Sequence, residues 1–335
     1  MKKIVKISIL FFTLIYLILL PKGGNTMNIP EPWVFSAVYI SNLSTGKAGS
    51  GCLVSRKISE GSSKVFLISN KHVLIPKELK GDEKEDKEAK AKVFLNRLEG
   101  DNIKLNEIEI LLRDKNGKEY WKSHSNNDID VAAIDFTSYI SKDRTLIPEL
   151  KVGFITEDRF ATKEKLEKEF VSVGDRVIVL GYPLNLVEGG HCIPIARDGV
   201  IASHPTYDFK GARVILIDAT MVRGSSGSPV FLPVLPYKWD SKDNMNLFSL
   251  TQASFLGIVS AIVPDWSMEI RKTVSFGQEP QTVSVVDIAN LGIVFKAETI
   301  KEVIDGFGVP AWEPPVQTKE EKQEVQTPES QQPNQ

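Results

Sequence analysis

The 335-residue chain sets 41 Lys and Arg against 43 Asp and Glu, for a formal net charge of -2, with 42% hydrophobic and 25% charged residues. Such a chain can bury one large core or two modest ones. It has no basic excess to neutralise phosphates, so nucleic acid is excluded as an expected partner. Its 4 His and 2 Cys are scattered without metal-ligand spacing, so no metal site is expected either.

In chain order, the first segment is "MKKIVKISILFFTLIYLILLPKGGNTMN", with a basic start at Lys2, Lys3 and Lys6 and an unbroken apolar run from Ile7 to Leu20. That is the layout of an export signal, so residues 1–26 are expected to act as a signal peptide and the rest to be periplasmic or extracellular. Without a clean small-residue cleavage site, two alternatives stand: an uncleaved membrane anchor through residues 4–20 with its basic end inside, or a translation start at Met27.

Short apolar runs then recur: "WVFSAVYI", "GCLVS", "VFLIS", "AKVFLN", "EIEILL", "DVAAIDF", "RVIVLGY", "IPIARDGVIAS", "RVILIDA", "PVFLPV", "FLGIVSAIV" and "LGIVFK". Most are β-branched and bounded by Gly, Pro, Asn or Asp, which predicts strands. Helical periodicity is confined to 162–170 and 298–306, the second stopped by Gly306 in the C-cap role. Many short strands with few helices predict an all-β chain of barrels or sandwiches. The first helical stretch divides two β halves, 27–150 and 151–312. Residues 77–92, "KELKGDEKEDKEAKAK", are expected to form a solvated loop or short exposed helix. From Glu313 the Pro-, Gln- and Glu-rich tail, 313–335, is expected to be disordered. Cys52 and Cys192 lie in apolar strand contexts. An exported chain permits a disulfide between them, but free buried thiols suit those contexts better.

"MVRGSSGSPVF", residues 221–231, interrupts two apolar strands with a Gly/Ser turn. A serine nucleophile needs such a turn, because its converging backbone N–H groups stabilise the charge that develops on a substrate carbonyl. In the G-x-S-G register the nucleophile is Ser226, and the oxyanion donors are the N–H groups of Gly224 and Ser226. Ser225 is the intervening residue and Ser228 lies beyond the turn. The hydroxyl requires a base, normally histidine. His72, at the end of the apolar strand in "VFLISNKHVLIP", is placed to face a cleft, whereas His124, His191 and His204 read as structural. For the carboxylate that orients the base, "NNDIDVAAIDF" offers Asp128, Asp130 and Asp135.

Together, "GSGCLVS", "VFLISNKHVL", "DIDVAAIDF", "SVGDRVIVLGYP", "RGSSGSPVF" and "GIVSAI" resemble the trypsin-like (chymotrypsin-fold) serine peptidases of bacterial type, over roughly residues 33–297. The resemblance implies two six-stranded-type antiparallel β-barrels with a short C-terminal helix, and a triad of His72, Asp130 and Ser226 in the family's order. Asp130 opens the family's D-(apolar)-A run, and Asp128 is the runner-up. Ser228 is no obstacle, since the glutamyl endopeptidase branch has a similar G-x-S-G-S-P.

In the same comparison Thr220 floors the specificity pocket, while Ser260, Ala261 and Ile262 form a wall like that of the high-temperature-requirement proteases. Uncharged Thr220 implies a small or medium apolar residue before the scissile bond, with Arg223 as an alternative recruiter of an acidic one. The implied activity is endopeptidase hydrolysis of protein or peptide substrates through an acyl-enzyme, with no cofactor. The alternative is a protease-fold binding or sensor module without catalysis.

Overall fold

The apolar runs pair largely as hairpins of neighbouring strands. A computed structural model describes residues 29–76, 88–141, 146–187, 190–234, 252–260 and 291–312 in full, and the backbone of 142, 145, 238–239, 245–246, 271–276 and 279–284. The leader, residues 77–87 of the charged stretch, Ala261, Ile262 and the tail from 313 lie outside the described residues. Strand outweighs helix, 46% against 15%, as the all-β expectation requires.

The strands of the N-terminal sheet are β1 (Ala37–Asn42), β2 (Ala48–Ser59), β3 (Ser62–Ser69), β4 (Ala89–Glu99), β5 (Asn102–Arg113), β6 (Trp121–Ser123), β7 (Ala132–Asp135), β8 (Leu150–Lys151) and β9 (Ile155–Thr156), the last two carrying it past the 150/151 boundary expected between the halves. They form one nine-stranded sheet in the order β8-β4-β1-β2-β3-β7-β6, with β5 beside β4 and β9 beside β2. Two-residue tips close its longest hairpins. Ser59 faces Ser62 and Glu99 faces Asn102, with Gly61 and Gly100 at φ +73° and +60°. These tight turns need a residue that tolerates the left-handed region.

The second half has β10 (Arg176–Gly181), β11 (Ile195–Ile201), β12 (Val214–Asp218), β13 (Pro229–Leu232), β14 (Ser254–Ser260) and β15 (Leu291–Lys296). These six close into a barrel, β10-β11-β12-β15-β14-β13. The two-barrel expectation therefore holds as a half-barrel followed by a closed six-stranded barrel.

Part of the charged stretch is strand rather than loop. In "AKAK" the small Ala89 and Ala91 are buried, while Lys90 and Lys92 reach Glu109 and Glu107 of β5 at 2.9 and 2.7 Å. Alanine is too small to mark an apolar run, yet here it supplies the inward side of a period-two strand. The helical stretches appear as Lys163–Lys168, capped by the Thr162 hydroxyl, and Ala297–Asp305, which we term α2. An earlier single helical turn, Lys71–Leu74, is α1. Gly306 caps α2 in an ordinary right-handed conformation, and the positive φ, +68°, falls at Gly308.

One apolar cluster joins the halves: Cys52, Val54, Phe66 and Ile68 pack with Ile178, Phe231, Phe255 and Ile258, and α2 adds Ile300, Val303 and Ile304. Cys52 and Cys192 are both free and buried, in keeping with the favoured reading of their apolar contexts.

Arg56, on β2 and 1% exposed, fastens this junction. Its guanidinium donates to both carboxylate oxygens of Glu157, to Asp305 on α2 at 2.6 Å and to the Val309 carbonyl at 2.8 Å. Removing the guanidinium takes away these charge-assisted hydrogen bonds, worth roughly 1.5–3 kcal/mol, but the carboxylates left behind are 16% and 47% exposed and stay within reach of water. Arg56→Ala should therefore lower the chemical-denaturation stability by that order, and a change under about 1 kcal/mol would show that the cluster behaves like a surface pair.

A second network secures α2 to β6. The His124 ring accepts the Asn126 N–H at Nδ1 (3.0 Å), so its Nε2–H donates to Glu302 (2.7 Å), which Arg213 also holds at 2.6 and 2.8 Å. Burial disfavours the Glu302 carboxylate, but hydrogen bonds from Arg213 and His124 hold it below its usual range. For Asp305, burial is likewise outweighed by hydrogen bonds from Lys301 and Arg56. A depressed carboxylate stabilises the fold above its unfolded pKa and loses that contribution as pH falls through the folded value. Amide exchange over 297–305 should therefore accelerate as pH falls below about 4, after correction for intrinsic rates. In Glu302→Gln that acid response should shrink, and an unchanged response would rule Glu302 out as its source.

Candidate active site

The Gly/Ser turn lies where β2 of the first half meets the closed barrel of the second. Ser225 and Ser228 are fully buried and Ser226 is 6% exposed. Two successive turns shape the segment, since Ser225 N–H donates to the Val222 carbonyl and Ser228 N–H to the Ser225 carbonyl, each at 3.0 Å. Gly224 and Gly227, at φ +86° and +84°, take conformations that a side chain would strain. Both are crowded as well. A Cβ on Gly227 would lie 1.9 Å from the Ser50 carbonyl oxygen, and one on Gly224 would lie 2.3 Å from that of Tyr182.

The backbone is pinned on two sides. Gly227 N–H donates to the Val259 carbonyl (2.8 Å) and Val259 N–H to that of Ser228 (2.9 Å), which ties the turn to β14. Ser50 N–H donates to the Ser226 carbonyl at 2.8 Å, which ties it to β2. Peptide planarity then orients two amides. The Arg223 carbonyl accepts from Leu184 N–H at 2.6 Å, so Gly224 N–H points the opposite way, and the Ser225 carbonyl, engaged by Ser228, sets the direction of Ser226 N–H in the same manner.

His72 sits in α1, the helical turn that follows β3. Val73 and Leu74 bury themselves in the N-terminal core, and Asn42 donates to both their carbonyls at 3.1 Å. With that helix fixed, the His72 ring is directed at Asp130. Nδ1 lies 2.6 Å from Asp130 Oδ2, and the His72 backbone N–H donates to Oδ1 at 3.2 Å. This places the ring proton on Nδ1 and leaves the Nε2 lone pair available. Asn70 donates to the Asp130 carbonyl at 2.7 Å, and the Ser260 hydroxyl donates to Oδ2 at 3.3 Å. Lys71, whose ammonium is pushed down by burial, donates to the His124 and Asn126 carbonyls at 3.0 Å and steadies the loop before Asp130.

Gly49 relates the two sets. A Cβ there would lie 2.9 Å from Val73 Cγ2 and 3.0 Å from the Ser226 carbonyl oxygen. The residue after His72 and the backbone of Ser226 therefore both lie against one glycine of β2.

Of the three carboxylates weighed, Asp130 is the one bonded to His72. Asp128 is exposed, with its N–H on Asn126 Oδ1, and Asp135 holds Lys64 at 2.8 Å. His124 bonds Glu302 and His204 bonds Thr206, while His191 is half-buried. Thr220 is exposed, and its carbonyl accepts from Arg197. Arg223 is exposed. The side-chain hydroxyl of Ser260 is directed at Asp130. Ala261 and Ile262 lie outside the described residues.

Ser50 escaped the sequence reading. Its hydroxyl donates to the Gly224 carbonyl (2.8 Å) and accepts from Tyr182 N–H (3.0 Å), and its carbonyl accepts from the Ser69 hydroxyl (2.7 Å). One buried serine thus joins β2, β3, the end of β10 and the turn. The signal for it was the run of small residues in "AGSG", which lets another backbone approach closely.

A family model described as a trypsin-like peptidase domain matches residues 49–233. A comparison with curated protein sequences returns no match. Among solved structures, Deg5 is 17% identical with a TM-score of 0.38, covering 68% of this chain and 80% of its own. The structure of HBP is 11% identical with a TM-score of 0.41, covering 87% and 99%, and a mutant of human heparin binding protein gives the same values. Both TM-scores fall below 0.5, so the fold rests on the strand topology and the family match.

Proposed function

The chain belongs to the trypsin-like peptidase family, and on that premise we propose that it is a serine endopeptidase whose triad is His72, Asp130 and Ser226. The 2.6 Å contact between His72 Nδ1 and Asp130 carries the reading, because a ring proton held on Nδ1 leaves Nε2 free to act as base.

In this mechanism the Ser226 hydroxyl attacks the scissile carbonyl carbon and its proton passes to His72 Nε2. The oxyanion is met by the N–H groups of Gly224 and Ser226. As the C–N bond breaks, the imidazolium protonates the leaving amine, and water activated by the same ring hydrolyses the acyl-enzyme. Asp130 holds the tautomer and offsets the imidazolium charge. Lacking charge, the Thr220 floor favours a small or medium apolar side chain before the scissile bond. The apolar leader supports export, or retention at a membrane through residues 4–20.

A peptide-library cleavage profile of the full chain tests this reading. Cuts should cluster after small or medium apolar residues and vanish with Ser226→Ala. A well-folded protein that cuts nothing and takes up no serine-directed probe would instead be a binding module.

A further inference from the structure

We propose that Arg197 is a positioning residue that holds the oxyanion turn in its working shape, an assignment that rests on Ser226 being the nucleophile. Arg197 lies on β11, paired with Val179 of β10. Its guanidinium crosses to the loop between β12 and β13, where Nη1 donates to the Thr220 carbonyl and Nη2 to the Ser225 hydroxyl at 2.8 Å. Ser225 is fully buried, and its hydroxyl oxygen also accepts the Val222 N–H at 3.3 Å. One rigid planar group therefore spans positions 220 and 225, on either side of the Arg223–Gly224 peptide that directs an oxyanion donor. A lysine ammonium on a flexible stem is a poor substitute for that fixed fork.

Stability alone does not account for this arrangement. Among the described residues the guanidinium meets neutral partners, Thr220, Ser225 and the Met221 sulfur at 4.0 Å, and its buried Nε has no hydrogen-bond partner. Burial without a carboxylate also pulls its pKa down. A half-buried cation with no carboxylate partner among the described residues and one buried donor unpaired, its other donors committed to the two ends of one loop, is accounted for by what it does to the loop. Gly224, at φ +86°, has no side chain to resist a peptide flip, so the Arg197 bridge adds a brace across the loop to the bonds that Leu184 and Ser50 make to the Arg223 and Gly224 carbonyls.

The test is the rate at which a fluorophosphonate modifies Ser226 in the full chain, resolved into a maximal rate and a half-saturating concentration. Arg197→Ala should lower the maximal rate roughly 10- to 100-fold, short of the roughly 100- to 1,000-fold that outright loss of one oxyanion donor produces, with the half-saturating concentration within about three-fold of the parent's. Added guanidinium should restore part of the rate, and Arg197→Lys should not. Ser225→Ala should reproduce most of the loss, and the double variant should add little to either single one.

An unchanged maximal rate in Arg197→Ala would overturn the proposal, as would independent, additive losses. A higher half-saturating concentration at an unchanged rate would also overturn it, making Arg197 a substrate-recognition residue. Should Arg197→Ala fail to fold, the Ser225→Ala protein decides: folded and labelling at the parent rate, it overturns the proposal. If the parent chain itself takes up no probe, the triad reading falls, and that result is distinct from a labelled parent with an equally labelled variant.

Discussion

Replacing Ser226 with alanine should lower peptide turnover by about 10⁶-fold, because triad members act as a unit and the residual activity comes from the oxyanion donors and binding alone. The fold should survive. The turn is held by backbone bonds, from Ser50 to the Ser226 carbonyl and between Gly227, Ser228 and Val259, none of which involves the Ser226 side chain. Thermal midpoint and turnover measured on the same preparation check both halves of the prediction. A loss of only a few-fold in folded protein would remove Ser226 from the chemistry.

Asp130→Asn should cost about 10⁴-fold in turnover with little change in substrate affinity. The amide keeps an oxygen for the His72 backbone N–H, which Oδ1 now accepts at 3.2 Å. Towards the ring, however, it presents an N–H where the carboxylate accepted one at 2.6 Å. The imidazole must then accept at Nδ1 and carry its proton on Nε2, which leaves no lone pair to take the serine proton. Asp128→Asn should be nearly silent, since that side chain stands in solvent. Steady-state turnover of the two variants side by side tests the assignment, and a larger loss at position 128 would reverse it.

The strands were legible because β-branched runs bounded by Gly, Pro and Asn leave few alternatives, and the proposed triad was read from three distinctive settings beside strands, two of which the structure joins through the bond between His72 and Asp130. Choosing Asp130 over Asp128 took the family pattern, since both precede apolar residues, and what separates them physically, the bond to His72 and the exposure of Asp128, is visible only in the structure. Other features had no local signature. Ser50 and Gly224 are 174 positions apart, joined by one hydrogen bond, and no periodicity reports such a contact. The bridge from Arg197 to Ser225 is equally silent in a strand that reads "ARDGVIAS". The "AKAK" strand was misjudged because charge dominates its composition, while the side that packs is alanine.

The most direct measurement is peptide mapping by mass spectrometry of the full chain after reaction with a fluorophosphonate. A hydroxyl activated by His72 displaces fluoride from phosphorus, so the account predicts a single stoichiometric adduct on Ser226, absent from His72→Ala. A folded chain left unmodified, or modified on another serine, would contradict it.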